Sequence, residues 1–347
     1  MTAFKVLPQA PWYKSNEGIT TEHGVMTKLP ANNPLLKVLE GRVSPTHLRQ
    51  RLGIERERET RVFGQGFNFF HIENWHSIHG VMRGLLRLAF LHERGRRNAL
   101  KLQIAANDLW INNLPSAFEG FTLLHVSDLH LDINEQMADV LAECIEPLDY
   151  NLCVITGDFR AKTFGPFDRA LDAMSRVRDS IRQPTYAVLG NHDSIQMVPG
   201  LEGMNVQVLL NESVAIERGG DTLYLAGIDD PHYYKSDNIE KAAHGIPDQA
   251  PSILLSHTPE PYRSAAFSGF DVMLAGHTHG GQICLPGGIP VMSNAKCPRA
   301  MVNGAWRYRG MRGYTSRGSG VSVVDVRFNC PPEITLHRLR RVEPLPA

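Results

Sequence analysis

The sequence predicts an α/β fold in which parallel strands alternate with helices. Apolar runs of strand length end abruptly in polar residues at 121–130, 152–158 and 185–193. The stretches between them, 133–145 and 166–182, place apolar residues at helical spacing. Strand–helix–strand repeats of this length favour parallel pairing with right-handed crossovers. In open sheets of this kind, ligands bind in the crevice beyond the carboxyl ends of the strands.

The chain before these strands has a different character. Residues 1–110 carry 16 Lys and Arg against 9 Asp and Glu, although the formal net charge of the whole chain is zero. The charge run at 55–61 predicts a solvated helix face. His71, His76 and His79 are interpreted as packing and surface residues, because no carboxylate partner is evident.

Residues 81–97 form a basic amphipathic segment, with Leu85 and Leu88 on one helical face and Arg83 and Arg87 on another. Two interpretations stay open. The segment could lie in the interface of an anionic membrane, or it could pack on the main domain with its arginines in water.

A strand-like pattern at 100–111 and a turn at 112–115 predict a hairpin that leads into the strand at 121–126. We therefore divide the chain into an N-terminal extension, 1–115, and a main domain, 116–347. The later part is richer in strand signals, at 206–210, 214–217, 222–226, 253–255, 272–275, 320–324 and 333–337.

Composition restricts the class of protein. With 347 residues, 42% hydrophobic and 21% charged, the chain is typical of a globular protein with a sizeable core. Five cysteines without a CxxC pair suit a reducing compartment. No signal-peptide core or membrane-spanning apolar run is present. We expect a soluble cytoplasmic protein, or one attached to the inner face of a membrane. A nucleic-acid partner is not expected, because the basic extension lacks a recognised fold or an aromatic platform.

Metal-type side chains stand at five predicted strand ends. They are Asp128, His130, Asp158, Asn191, His257, His277 and His279. Histidine, aspartate and an amide oxygen suit first-row cations such as Mn, Fe or Zn. Seven ligands exceed what one ion can use, and a shared carboxylate would place two ions about 3.5–4 Å apart. We predict two divalent metal ions.

These motifs resemble, in order, those of the calcineurin-like metallophosphoesterases. The matching segments are Asp128-x-His130, Gly157-Asp158, Gly190-Asn-His-Asp193, His257 and Gly276-His-Thr-His279, and the likeness runs from about residue 116 to the C-terminus. The form Gly-His-Thr-His-Gly-Gly-Gln282 resembles a bacterial branch that contains membrane-associated phosphoesterases. The resemblance implies a four-layer α/β/β/α sandwich of two mixed sheets.

The resemblance also implies a role for each motif residue. Asp128, His130 and His279 would bind one metal, Asn191, His257 and His277 the other, and Asp158 both. The family hydrolyses phosphate esters by in-line attack of a metal-bridging hydroxide. His192 would contact the phosphate and assist departure of the leaving group.

The sequence departs from the family pattern at Ala161 and Lys162, where many relatives have an aspartate that orients the histidine and often an arginine. We therefore consider Asp193 as the residue that orients His192. Arg160 and Lys162 could hold a phosphate or be solvent-facing loop charges. Arg317 is a third candidate substrate contact, and Cys284 is interpreted as a packed strand residue.

Three functions remain at this point. The first is a phosphoesterase acting on a lipid-linked or membrane-proximal phosphodiester or pyrophosphate, such as UDP-2,3-diacylglucosamine. The second is a soluble phosphodiesterase or phosphatase that acts on nucleotides or small phosphate esters. The third is a non-catalytic scaffold, and the presence of all seven ligands argues against it.

Overall fold

The computed structural model describes residues 34–63, 84, 88, 90–292 and 294–342, which build two six-stranded mixed sheets. The first contains β1 (Gln103–Ile111), β2 (Thr122–Val126), β3 (Leu152–Ile155), β4 (Thr185–Ala187), β5 (Val206–Val208) and β14 (Glu333–Arg341), in the order β1-β14-β2-β3-β4-β5. The second contains β6 (Glu212–Arg218), β7 (Asp221–Gly227), β8 (Ser252–Leu255), β9 (Val272–Ala275), β12 (Gly304–Tyr308) and β13 (Met311–Thr315), in the order β12-β13-β9-β8-β7-β6. A short hairpin joins β10 (Cys284–Leu285) to β11 (Ile289–Pro290).

The two sheets pack face to face through one apolar cluster. Leu123 and Val154 of the first sheet meet Leu225, Ile253 and Leu274 of the second, and all five are buried. Alternate residues of a strand point to opposite faces, so the neighbours of these residues are directed outward. Each sheet therefore needs a second apolar layer on its outer face.

Helices supply those outer layers. They are α1 (Pro34–Val43), α2 (Pro45–Phe63), α3 (His92–Ala99), α4 (Gln136–Ile145), α5 (Asp168–Ser180), α6 (Val198–Gly203), α7 (Ile239–Ala243) and α8 (Tyr262–Phe267). Leu141 and Met174, from α4 and α5, belong to the cluster on the outer face of the first sheet. Ala242 and Ala265, from α7 and α8, belong to that of the second. The predicted four-layer sandwich is confirmed. Within the described part of the chain, no helix combines the length and apolar content needed to cross a bilayer.

Parallel pairing places the important strand ends together. β2, β3, β4 and β5 are parallel neighbours in the first sheet, and β7, β8, β9 and β13 are parallel neighbours in the second. The carboxyl ends within each set therefore share one edge. These two edges adjoin, because the backbone N–H of His277, after β9, lies 3.0 Å from the carboxylate of Asp128, after β2.

The predicted hairpin between 100–111 and 121–126 is wrong. β1 pairs in parallel with β14, and β14 pairs antiparallel with β2, so the last strand of the chain separates the two. The predicted strand at 320–324 is also wrong. There the side-chain amide of Gln282 donates to the carbonyls of Ser322 and Val324 and accepts from the N–H of Ser322, which takes the place of a strand partner.

The N-terminal region packs on the first sheet. Leu36, Leu39 and Val43 of α1 join the apolar cluster on its outer face. The domain division at residues 115 and 116 stays a prediction, although β1, on its N-terminal side, is an edge strand of the sheet. Of the basic segment, only 84, 88 and 90–97 are described, and His71, His76 and His79 lie outside the described residues.

The charge run of α2 is only partly solvated. Arg56 and Glu57 are exposed, as predicted, whereas Glu55 receives hydrogen bonds from the loop after β4. The sequence pattern contains no sign of this contact, because its partners lie about 140 residues further along the chain.

Candidate metal centre

Five of the seven predicted ligands have a left-handed backbone. The φ angles are 52° at Asp128, 42° at His130, 58° at Asp158, 71° at His277 and 48° at His279. This conformation is uncommon for residues other than glycine and concentrates at functional sites. It makes the chain turn sharply after each strand, which directs the side chains into the space between the strand ends.

Glycines allow the turning loops to approach one another closely. A Cβ at Gly276 would lie 1.9 Å from Oγ of Ser127, and one at Gly157 would lie 2.5 Å from the backbone nitrogen of Gly190. No larger residue fits either position without moving the neighbouring loop.

The first group of possible ligands is Asp128, His130 and His279. Nε2 of His130 lies 3.1 Å from Nε2 of His279, which lies 3.4 Å from Oδ1 of Asp128. All three side chains are buried, and their ligand atoms lie within 4.8 Å of one another. Ligand atoms about 2.0–2.2 Å from a shared ion would show similar mutual separations.

The second group contains Asp158, His257 and His277, with Asn191 beside them. Nε2 of His257 lies 2.8 Å from Oδ1 of Asn191, 3.2 Å from Nδ1 of His277 and 3.2 Å from Oδ2 of Asp158. The same Asp158 oxygen lies 3.6 Å from Nε2 of His130 in the first group. Asp158 therefore stands between the two groups, where a shared carboxylate is expected.

The imidazole orientations suit metal binding. Nδ1 of His130 donates to the carbonyl of Arg160 at 2.8 Å, and Nδ1 of His257 donates to that of Thr156 at 2.7 Å. A proton held at Nδ1 leaves the Nε2 lone pair directed into the site, as in metal-binding histidines generally. Each of the two groups, with its buried histidine and aspartate donors, could hold a first-row divalent cation.

Burial and the charges of neighbouring groups shift the pKa values of these side chains. Burial raises the pKa of Asp128 to about 6 and lowers that of His130 to about 4. Burial opposes charge at Asp158 and His257 as well, but their attraction dominates, so the pKa of Asp158 falls well below its usual range and that of His257 rises well above it. The centre thus concentrates negative charge at Asp158, which attracts a proton or a cation.

His192 lies at the edge of both groups. Nδ1 donates to the carbonyl of Ala161 at 2.6 Å, and Nε2 lies 3.9 Å from Oδ2 of Asp158. The ring makes an edge contact with His130 at 5.0 Å between centroids. The backbone carbonyl of Ala161 therefore orients this histidine, so a carboxylate at position 161 is not needed for that purpose.

Asp193 does not orient His192, contrary to the hypothesis from the sequence. Its carboxylate accepts backbone N–H groups from Asp158 at 2.7 Å, Phe159 at 2.9 Å and Gly190 at 2.8 Å. Asp193 instead ties the loop after β3 to the loop after β4. Sequence reasoning missed this role because hydrogen bonds to backbone leave no residue pattern.

The predicted substrate residues have distinct surroundings. Arg160 is buried and donates to the carbonyls of His192 at 2.5 Å and Gly165 at 2.9 Å, so its guanidinium already supports the site loops. Lys162 is exposed. Arg317 forms an ion pair with the buried Glu333, and its side chain lies against Gly280. Substrate contact stays a prediction for all three.

Two further sets of residues support the first group of ligands. A hydrogen-bonded chain runs from His337 through His125, Thr156 and Ser127 to Asp128, with successive distances of 3.2, 2.8, 2.7 and 2.6 Å. The fully buried Arg327 lies 3.3 Å from Nδ1 of His279 and donates to the carbonyls of Arg317, Gly318 and Gly320. Sequence reasoning missed both sets, since their members lie on distant strands and loops.

One histidine near the second group was also missed. The ring of His232 lies 4.3 Å from that of His277, and its Nδ1 lies 2.9 Å from Oε1 of Glu260. Cys284 is a buried residue of β10, as predicted, with its Sγ 3.2 Å from the carbonyl oxygen of Gly280.

The two-sheet fold and its paired groups of buried histidines and aspartates define a metal-dependent phosphoesterase. A model of the calcineurin-like phosphoesterase family matches residues 121–281.

The chain is 28% identical to "Uncharacterized metallophosphoesterase YkoQ" of Bacillus subtilis over 75% of its own length and 99% of that protein. It is 28% identical to "Phosphodiesterase YaeI" of Escherichia coli over 63% of its own length and 82% of that protein. A 31% identity to "Transmembrane protein with metallophosphoesterase domain" of Bos taurus covers 50% of the chain and 43% of that protein. Over residues 121–281, the chain therefore resembles the calcineurin-like metallophosphoesterases.

Proposed function

We propose that this phosphoesterase cleaves a phosphodiester or pyrophosphate bond presented at an anionic membrane surface, with UDP-2,3-diacylglucosamine as the test substrate. The observation that carries the catalytic part is the position of Asp158 between the two groups of ligand atoms, with His192 beside it. Asp128, His130 and His279 would hold one divalent ion, Asn191, His257 and His277 the other, and Asp158 both. Two such ions neutralise phosphoryl oxygens and lower the pKa of a water molecule.

The geometry of His192 suits a donor to the leaving group. A carbonyl can only accept, so the contact with Ala161 keeps a proton on Nδ1. When the ring is protonated, Nε2–H is the second donor, and it points to the side of Asp158. Donation of that proton to the departing oxygen is general acid catalysis.

A membrane-proximal substrate is supported by the β10–β11 hairpin beside the centre. Leu285, Ile289, Val291 and Met292 are 54%, 49%, 66% and 56% exposed. Pro290 lies against Gly281, two residues after His279, since a Cβ at Gly281 would be 2.6 Å from that of Pro290. Clustered exposed apolar side chains at one site are typical of an interaction surface.

The part of the chain that contains this hairpin is basic, which suits an anionic surface. Residues 272–324 contain no Asp or Glu but include one Lys and five Arg. Arg299 donates to the carbonyl of Pro290, at the base of the apolar tip. The similarity to a Bos taurus transmembrane protein with a metallophosphoesterase domain also favours a substrate near a membrane.

The test is product analysis by mass spectrometry after the Mn-loaded protein is incubated with UDP-2,3-diacylglucosamine in detergent micelles. We expect release of UMP and the lipid monophosphate. Bis-p-nitrophenyl phosphate serves as the parallel soluble substrate. Turnover of the soluble diester without any release of UMP would contradict the lipid-linked substrate and favour a soluble phosphodiesterase, the activity for which the relative YaeI is named.

A further inference from the structure

The N-terminal helix α2 contacts the loop that carries two of the proposed site residues. This loop follows β4 and contains Asn191 and His192. The contacts come from two side chains of α2, Arg51 and Glu55, which lie one helical turn apart on the same face.

Arg51 is fully buried and surrounded by partners from several elements. Its Nη2 donates to the carbonyl of Asp193 at 3.0 Å, and its Nη1 donates to Glu55 at 2.7 Å. Its Nε lies 3.2 Å from the carboxylate of Asp229, after β7, and the guanidinium stands 3.4 Å over the ring of Tyr234. Arg51 therefore joins a loop of the first sheet to a loop of the second.

Glu55 binds the next two residues of the same loop. Its Oε2 accepts from Oγ of Ser194 at 2.6 Å, and its Oε1 accepts from the backbone N–H of Ile195 at 2.8 Å. Three consecutive residues, 193–195, are thus held from α2. They follow directly after Asn191 and His192, so a shift of this segment would move both.

The contact extends from α2 to the centre through Asp193. Its carbonyl accepts from Arg51, while its carboxylate accepts from the backbone of Asp158 and Phe159. Groups that hold ligand-bearing segments in place contribute strongly to metal affinity.

We propose that Arg51 and Glu55 are positioning residues, through which α2 fixes the Asn191–Ile195 segment for metal binding and catalysis. This inference rests on the proposed roles of Asn191 and His192. It gives α2, which lies in the N-terminal extension, a part in supporting the proposed site.

The test compares the full-length variants Glu55→Gln, Arg51→Lys and Arg51→Met with wild type. Arg49→Ala, on an exposed part of α2, is the matched control. Mn binding to the metal-free protein is measured by calorimetry, hydrogen exchange reports on the 190–195 segment, and kcat and KM are measured with bis-p-nitrophenyl phosphate.

We expect Arg51→Met and Glu55→Gln to weaken binding of one of two Mn ions by about 10–100-fold, to speed exchange at 190–195, and to lower kcat more than they raise KM. Arg51→Lys should recover part of the loss, because it keeps the charge but not the several directed donors. Arg49→Ala should match wild type.

A purely structural role would give another pattern. If the variants lose only thermal stability and the folded protein keeps wild-type Mn affinity, exchange and kcat, the inference is wrong. If Arg51→Met does not fold, Glu55→Gln and Arg51→Lys decide the question by the same readouts. A wild-type protein that binds no Mn would overturn the proposed function and this inference together, whereas normal wild-type binding with unaffected variants would overturn this inference alone.

Discussion

The two sheets contribute different chemistry to the candidate centre. Of the seven proposed ligands, loops of the first sheet carry both aspartates, the asparagine and one histidine, whereas loops of the second carry His257, His277 and His279. All the formal negative charge of the proposed ligands therefore comes from one side. The first sheet would provide the charge that attracts cations, and the second would complete the coordination with neutral nitrogen donors.

The two sides also differ in what holds their backbone. The loops after β3 and β4 are fastened by Asp193 and, through it, by α2. The loop after β9 is held by a proposed ligand of the first sheet, since the N–H of His277 donates to the carboxylate of Asp128. The first sheet is therefore both the charged half and the supporting half of the candidate centre. Substitutions in its loops should reduce activity more than substitutions in the loops of the second sheet.

The largest effect is expected from Asp158→Asn. The change keeps the shape but removes the charge shared between the two groups, so we expect activity on bis-p-nitrophenyl phosphate to fall on the order of a thousandfold. Metal content measured after dialysis should fall with it. Asp139→Asn, on the exposed face of α4, is the control. Full activity in Asp158→Asn would refute the two-metal proposal.

His192→Ala should lower kcat by roughly a hundredfold while leaving Mn binding close to that of wild type. Its role as a proton donor predicts a larger loss for a substrate with a basic alkoxide leaving group than for one that releases p-nitrophenolate. The measurement is kcat for the two kinds of diester under the same conditions. An equal loss for both substrates would argue against proton donation.

His277→Ala tests the second sheet. It removes one neutral donor and leaves the first group intact, so we expect about 10–100-fold weaker binding of one ion. Excess Mn should restore part of the activity, which it should not do for Asp158→Asn. His244→Ala, an exposed histidine, serves as the control. If His277→Ala loses as much activity as Asp158→Asn at every Mn concentration, the proposed difference between the two sheets is contradicted.

The smallest effect on the catalytic rate is expected from a substitution of Asp229, where α2 meets the second sheet, because Asp229 acts on stability. Burial disfavours its charge, but Arg51 and His47 hold the pKa of Asp229 below its usual range. A depressed pKa stabilises the fold above about pH 4, and this stabilisation is lost as the pH falls through the folded-state value. We expect Asp229→Asn to lower the free energy of unfolding by roughly 3–5 kcal/mol at pH 7, and the difference from wild type to shrink below about pH 4. A difference that does not change with pH would contradict the buried ion pair.

Much of the centre could be predicted because its signal is local. Each apolar strand ends in a polar residue within a few positions, and parallel strands bring such ends to one edge. Asp128, Asp158 and Asn191 were found in this way, and the structure brings them together with the four histidines. That these residues bind metals stays a prediction, as do the substrate contacts.

What failed depended on partners distant in the chain. The hairpin signal at 100–111 was overridden by β14, which pairs with β1 over nine residues from the other end of the protein. The orientation of His192 was assigned to a neighbouring carboxylate, but a backbone carbonyl 31 residues away provides it. A charge run was interpreted as solvated, although one of its members, Glu55, caps a loop of the centre.

The sequence by itself determined the α/β class, the parallel strands and the identity of the side chains at their ends, because apolar periodicity and residue chemistry are properties of short segments. Only the tertiary structure decided which backbone groups orient His192, what Asp193 holds, and that Arg51 of α2 supports the loop after β4. Those contacts are hydrogen bonds to carbonyl and N–H groups that every residue carries. Their partners are therefore set by the packing of the folded chain rather than by any pattern of residue types.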